Sequence, residues 1–343
     1  MRPLTAGLPR IVLGHWPTPL HELPHLSTTL GGPRLFIKRD DLSGLALGGN
    51  KCRKLEYVLA DASQKGIDTL ITSGSSQSNH ALQTAAAARR LGMDTYLVLV
   101  KGLHTEIQGN LLLNDILGST VTIVEVGDPA EMFSTMPRKM NELADELRTK
   151  GRRPLVIPAG AETPLGTAGW VEAAREIAQQ LREQRIEARY VVVAHSGGGT
   201  QAGLALGFKH LELPLSVIGI SVMSERSQSV SSVVTLANDT ARLLGLDVAI
   251  TPDEVPVYDD YIGPGYGIPT RDCIAAIRLL AQTEGIFLDP VYSGKGMAGL
   301  IDLIRQRRFT SQDTVLFVHT GGVPALFAYH QELAADPRLD AGS

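Results

Sequence analysis

The stretch Tyr190-Val191-Val192-Val193-Ala194-His195-Ser196-Gly197-Gly198-Gly199-Thr200-Gln201-Ala202-Gly203 decides the fold. Its first five residues are apolar and rich in β-branched valine. Tyr190–Ala194 therefore reads as a short strand buried on both faces. A glycine turn follows, and Thr200 to about His210 reads as a helix. Strand, turn and helix in immediate succession form part of a parallel βαβ unit. Main-chain N–H groups at a helix start bind anions, and glycine lets an anion come close. Gly198, Gly199 and the hydroxyl-bearing Thr200 are thus candidates for a phosphate cradle. No Gly-Lys-Ser/Thr follows, so the turn is not a Walker A loop. It also lacks the G-x-G-x-x-G spacing, which disfavours a nicotinamide enzyme.

The same alternation extends in both directions. Upstream, Arg34–Lys38, Asp68–Ser73 and Thr95–Val100 read as strands. Asn79–Leu91 reads as an alanine-rich helix closed by Gly92. Lys51–Gln64 reads as an amphipathic helix with Leu55, Val58, Leu59 and Ala62 on one face. Downstream, helices are expected at Gly166–Leu181, Ser229–Leu244, Thr270–Thr283, Ser293–Arg307 and from Pro324 to about Leu333. Leu215–Val222 and Thr314–His319 are the remaining strands. The order predicts an α/β fold of three α/β/α layers with parallel-rich sheets and right-handed crossovers. Pro154, Pro158 and Pro164 punctuate the passage between the halves. Two domains are expected: a larger one from residues 1–50 plus 161–343, and a smaller inserted one, 51–160.

With 343 residues the chain is long enough for two cores. The net charge of -4 gives no reason to expect nucleic acid or an anionic membrane as partner. Two cysteines, Cys52 and Cys273, are too few for a disulfide framework. No apolar run approaches the roughly 20 residues that cross a bilayer, and the N-terminus has no signal-like apolar core. A cytoplasmic protein is the simplest expectation. The histidines form no metal-binding spacing, and there is no G-x-S-x-G elbow.

Several residues could carry chemistry. Lys51 follows Gly48-Gly49-Asn50, and glycines beside an amine leave room for a flat cofactor. Ser78-Asn79-His80 opens a helix, where Ser78 can serve as N-cap and can also help grip a substrate carboxylate. Tyr266 lies in Gly263-Pro264-Gly265-Tyr266-Gly267, and Tyr292 follows an expected short strand before a helix. Tyrosines on such loops can point their hydroxyls into a cleft. Thr320 ends a strand at its carboxyl edge, where ligands of open α/β sheets collect. Arg39-Asp40-Asp41 reads as charge pairing near the cleft. One amine, one polar helix start and one anion cradle together outline a pyridoxal 5'-phosphate (PLP) enzyme.

On these residues the chain resembles the fold-type II, tryptophan-synthase-β-like PLP enzymes. Within them it is most similar to the branch of 1-aminocyclopropane-1-carboxylate (ACC) deaminase and D-cysteine desulfhydrase. The likeness runs from Pro17-Thr18-Pro19-Leu20 to His319-Thr320-Gly321-Gly322. It includes Ile37-Lys38-Arg39-Asp40-Asp41, Gly48-Gly49-Asn50-Lys51, Gln77-Ser78-Asn79-His80, Gly265-Tyr266-Gly267 and Asp289-Pro290-Val291-Tyr292. The resemblance implies that Lys51 carries the cofactor and moves the Cα proton. It implies Asn79 at the cofactor's phenolic oxygen, and Gly198, Gly199, Thr200 and Lys54 at its phosphate. Thr320 would face the pyridine nitrogen. Ser78, with Asn79 and His80 beside it, would bind a small amino-acid substrate, and Tyr266 and Tyr292 would line the substrate side. A homodimer is also implied.

ACC deaminases carry a glutamate after the second tyrosine, whereas this chain has Ser293. A neutral partner makes a weaker electron sink, which suits α,β-elimination of a good leaving group better than opening a cyclopropane. D-Cysteine, losing sulfide, is the expected substrate. L-Cysteate, losing sulfite, is the nearest rival; ACC deamination and a non-catalytic PLP carrier are further alternatives. His195-Ser196-Gly197 and Cys52 depart from what the family more often shows.

Overall fold

The structure, a computed structural model, describes residues 3–126 and 132–334. In chain order the strands are β1 (Leu20–Glu22), β2 (Arg34–Arg39), β3 (Thr69–Ser75), β4 (Asp94–Val100), β5 (Thr120–Val124), β6 (Pro154–Ile157), β7 (Tyr190–His195), β8 (Ser216–Ser221), β9 (Val257–Tyr258) and β10 (Thr314–His319). The helices are α1 (Pro24–Leu30), α2 (Lys51–Gln64), α3 (Asn79–Arg90), α4 (Gly109–Ile116), α5 (Met132–Thr149), α6 (Pro164–Gln184), α7 (Gly199–His210), α8 (Arg226–Leu244), α9 (Arg271–Glu284), α10 (Ser293–Arg305), α11 (Ala325–Ala328) and α12 (His330–Ala334).

Six strands form one sheet in the order β1-β2-β10-β7-β8-β9, and four form a second in the order β5-β4-β3-β6. Among the described residues, only β1 runs antiparallel to its neighbour; the other pairs are parallel. The register sets Val315 beside Tyr190 and Val318 beside Val193 at the centre of the larger sheet. Alternation along β7 feeds two cores. Val192 joins Ile37, Ile220 and Phe317 beneath α9 and α10, where Leu280 and Met297 are buried. Val191 and Val193 join Phe36, Trp170 and Phe208 beneath α6 and α7. Each buried valine or leucine there contributes roughly 1.5–3 kcal/mol relative to exposure. These are the three layers expected from the apolar runs.

In the four-stranded sheet, Ile71 and Val98 pack against Met136, Met140 and Leu147 of α5. On its other side Leu55 and Leu59 of α2 meet Ala87 and Ala88 of α3. The sequence pattern was silent on α4, β5, α5 and β6. β5 is an edge strand with mostly exposed side chains, so it lacks an apolar signature. α5 carries Pro137 inside it, which normally marks a boundary because it removes a helical N–H.

Three local expectations are corrected. The short strand ahead of Tyr292 does not form. Instead the Asp289 carboxylate accepts the N–H groups of Val291, Tyr292 and Ser293 and turns the chain directly into α10. The final helix breaks in two at Tyr329, whose ring is buried and whose hydroxyl donates to the Gly267 carbonyl. Finally, α2 does not have one wet face: Arg53, Lys54 and Glu56 are buried along with its apolar residues. Among the described residues, no helix is long and apolar enough to cross a membrane.

Candidate active site

A cavity of about 410 Å³ opens at the carboxyl ends of β3, β7 and β10. Lys51, Ser78, Asn79 and His80 line it from one side, and Gly198, Thr200 and Thr320 from the other. Tyr266 and Tyr292 also line it. Gly199 and Lys54 stand behind this wall, held by a residue that also reaches the cavity, Glu162.

Lys51 begins α2 on a floor of main chain. Gly49 has φ +134, and a Cβ added at Gly321 would come within 2.7 Å of the Gly49 Cα. Only two glycines allow the loop before Lys51 to lie against the end of β10. Asn50 then fixes the join. Its N–H donates to the Thr320 carbonyl at 3.0 Å, its side-chain amide donates to Thr200 Oγ1 at 3.0 Å, and its own carbonyl accepts from Trp170 Nε1.

One turn on, Arg53 anchors the helix. It pairs with Asp40 at 2.6 Å and Glu176 at 2.8 Å, and its guanidinium lies 4.0 Å from the Trp16 ring centroid. Lys38 shares Glu176 at 2.5 Å, while Asp41 takes Arg39 at 2.7 Å. Both aspartates of Arg39-Asp40-Asp41 are thus in ion pairs, as read from the sequence.

At the glycine turn, Gly198 caps α7 at φ +97, where a side chain would be strained. The Gly199 N–H donates to Glu162 Oε2 at 2.7 Å. Glu162 Oε1 accepts from Lys54 at 2.7 Å and lies 3.6 Å from Lys51 Nζ. The Lys54 ammonium also donates to the Gly160 carbonyl at 3.1 Å. Burial alone would raise the Glu162 carboxyl, but Lys54, Lys51 and the Gly199 N–H outweigh it and hold the group at about 2. Burial lowers Lys54 to about 7 against the pull of Glu162. A carboxylate therefore sits where the helix start and an ammonium converge, so the donors of the turn face an anion supplied by the chain itself. That observation, with Lys51 lining the same cavity, fits a phosphate-bearing aldehyde cofactor.

His195 ends β7 beside this turn. Gln201 donates its amide hydrogens to the Val217 and Pro256 carbonyls, so its oxygen accepts from His195 Nδ1 at 2.9 Å. Nε2 of His195 then carries a lone pair and has no partner among the described residues.

Ser78 is the N-cap of α3, its Oγ accepting from the Ala81 N–H at 3.2 Å. Its hydroxyl hydrogen remains free to donate. Asn79 Oδ1 accepts from Asn110 at 2.8 Å, which leaves the Asn79 amide hydrogens for a ligand oxygen. Thr72 Oγ1 donates to the Ile157 carbonyl and so accepts from His80 Nε2 at 2.9 Å. The bare Nδ1 of His80 has no partner among the described residues. Burial, then the charges of Lys51 and Lys54, lower this imidazole to about 3. His80 is a neutral acceptor.

The Tyr266 and Tyr292 hydroxyls hydrogen-bond each other, with Ser75 Oγ 3.4 Å from Tyr266. Burial raises both phenols, so neither is ionised. Ser293 is fully buried, and its hydroxyl donates to Asp289 Oδ1 at 2.5 Å. The residues that sequence reasoning missed are Asn50, Asn110 and Glu162. A buried Lys54 calls for an anion, but nothing in Glu162-Thr163-Pro164 marks it as that partner.

Comparison with known proteins accords with this geometry. Residues 11–321 match the family model described as pyridoxal-phosphate dependent enzyme. D-Cysteine desulfhydrases of Klebsiella pneumoniae strain 342 and of Klebsiella pneumoniae subsp. pneumoniae are each 46% identical over 331 residues, covering 95% of this chain and 97% of theirs. The crystal structure of an ACC deaminase homologue superposes with a TM-score of 0.88 at 41% identity, covering 97% of both chains. The processed form of threonine deaminase isoform 2 from Solanum lycopersicum shares the fold, with a TM-score of 0.62 at 18% identity over 89% of this chain and 79% of that one.

Proposed function

Because the chain belongs to the family of pyridoxal-phosphate dependent enzymes, we propose that it is a carbon–sulfur lyase converting D-cysteine and water to pyruvate, hydrogen sulfide and ammonia. The observation that carries this reading is the near full-length likeness to the D-cysteine desulfhydrases. PLP, when bound, supplies the electron sink that makes the Cα proton removable. The chain's own groups do the rest. Lys51 holds the cofactor and takes the Cα proton. The Ser78 hydroxyl and the start of α3 hold the substrate carboxylate. Asn79 donates to the cofactor's phenolic oxygen, and Thr320 faces its pyridine nitrogen. The paired hydroxyls of Tyr266 and Tyr292 stand on the substrate side and can steady the departing sulfur.

The cavity lining disfavours L-cysteate. Among the described residues lining it, Lys51 is the one ammonium and no arginine is present. A sulfonate would add a second anion with no cation to meet it. Ser293, committed to Asp289, cannot stand in for the glutamate of ACC deaminases. We also infer a homodimer. Leu103, Ile107 and Ile116, in or just before α4, are exposed, as is Phe327 of the adjoining α11. Such a group of apolar side chains suits a protein interface. Light scattering would give the mass directly.

The test is product analysis with the PLP-loaded protein and D-cysteine, L-cysteine, L-cysteate and ACC, with Lys51→Ala in parallel. Sulfide and pyruvate from D-cysteine, lost in the variant, are expected. Sulfite from L-cysteate with D-cysteine slow, or 2-oxobutyrate from ACC, would overturn the substrate assignment.

A further inference from the structure

The anion in the glycine turn belongs to the protein itself. Glu162 uses both oxygens there, one on the Gly199 N–H and one on Lys54. The turn is shaped around it: a Cβ at Gly199 would come within 2.2 Å of Glu162 Oε2, and one at Gly197 within 2.5 Å of its Cγ. A phosphate placed on the same donors would meet a carboxylate that is held ionised, and two adjacent anions repel. Glu162 also has a way out. Its backbone is fixed, because the next residue, Thr163, caps α6 by accepting from the Gly166 N–H. Its side chain, however, lines the open cavity and is 17% exposed. A change of its side-chain rotamer would withdraw the carboxylate from the turn into the cavity without moving α6.

We propose that Glu162 is a specificity determinant for cofactor loading: an internal anion that occupies the phosphate cradle and yields only to a phosphate compound that also engages Lys51. The inference rests on the reading that Gly198, Gly199 and Thr200 take the cofactor phosphate. Inorganic phosphate, or a phosphate ester without an aldehyde, gains only the cradle donors and must displace Glu162 to reach them. PLP gains a covalent link to Lys51 as well, which offsets the displacement. Glu162 lies 3.6 Å from Lys51, so the carboxylate sits between the two points that a bound cofactor would join.

The test uses cofactor-stripped protein and measures binding, not turnover. PLP, pyridoxine 5'-phosphate, inorganic phosphate and pyridoxal are titrated calorimetrically into wild type, Glu162→Gln and Glu162→Asp, with Thr200→Val as a control for the cradle. Glu162→Gln is expected to bind pyridoxine 5'-phosphate and inorganic phosphate on the order of tenfold more tightly, equivalent to about 1.4 kcal/mol. Pyridoxal, which has no phosphate, should change by less than about threefold on the same scale. Should Glu162→Gln not fold without cofactor, Glu162→Asp reads the same effect. It keeps the charge but is one methylene too short to span Lys54 and Gly199. Equal or weaker phosphate binding in both variants, with Thr200→Val impaired, would overturn the role of Glu162 while leaving the cradle in place. Unchanged PLP affinity in Thr200→Val would instead overturn the cradle reading.

Discussion

Tyr266 and Tyr292 stand 26 residues apart in the chain and meet hydroxyl to hydroxyl in the wall of the cavity. Their rings approach edge to face with centroids 5.8 Å apart. The two therefore act as one unit. Tyr266→Phe and Tyr292→Phe are each expected to lower kcat by on the order of 10²-fold, within the range for a lost proton-handling group. The double variant should lose far less than the product of the two, because residues in one hydrogen-bonded pair are not additive. Steady-state kinetics on D-cysteine decide it. A fully multiplicative loss would show that the hydroxyls work separately.

Arg53 is the buried hub beneath Lys51, with Asp40 and Glu176 both paired to it. Removing one partner of a buried pair strands the others. Arg53→Met is expected to cost about 3–5 kcal/mol of stability and to weaken cofactor retention, since α2 carries Lys51. Urea unfolding and the cofactor absorbance after gel filtration measure the two effects. A variant as stable as wild type would show that the network is dispensable.

Acid sensitivity should come from neutral histidines. His80 is held at about 3 by burial and by the nearby lysines, and burial lowers His195 and His319 too. The unfolded chain binds these protons near pH 6.5, whereas the folded chain does not. Stability is therefore expected to fall as pH drops from about 6.5 toward 4.5. Below that, the Glu162 carboxyl, held at about 2 when folded, adds a further loss as the unfolded carboxylate protonates. His80→Gln should flatten the upper part of the curve. Denaturant midpoints at pH 7, 5.5 and 4.5 report it, and an unchanged slope in the variant would refute the assignment.

Both thiols are sealed. Cys52 and Cys273 are fully buried, and burial pushes the first far up and the second to about 12. A thiolate is the reactive form. The folded protein should show no fast-reacting thiol toward a disulfide reagent, and two after unfolding. Rapid labelling of the native protein would indicate opening of α2 or α9.

What could be read in advance follows the range of the interactions. β7 and β10 were legible because strands buried on both faces are written as unbroken apolar runs, and α2 because its apolar residues recur at helical spacing. Lys51 and Thr320 were legible because each adjoins glycines at an element boundary. The weak sites were those whose meaning lies elsewhere in the chain. Glu162 acts through Lys54, 108 residues away, and Asn110 fixes Asn79 from a distance of 31. No local pattern announces such partners. β5 was hidden for the opposite reason: its side chains are mostly exposed, so burial left no mark on its sequence.

The floor under Lys51 divides what can drift from what cannot. Under Lys51 the surfaces are peptide: Gly49 against Gly321, the Thr320 carbonyl on the Asn50 N–H, and the opening turn of α7. Amino-acid replacement barely alters a peptide group, and a Cβ added at Gly49 or Gly321 collides, 2.3 Å from Gln83 Nε2 or 2.7 Å from the Gly49 Cα. Elsewhere in the lining the surfaces are side chains, Ser78, Tyr266, Tyr292 and the apolar Met136 and Met140. Those can be exchanged one at a time without disturbing the floor. The peptide floor thus holds Lys51 in place whichever side chains line the rest of the cavity.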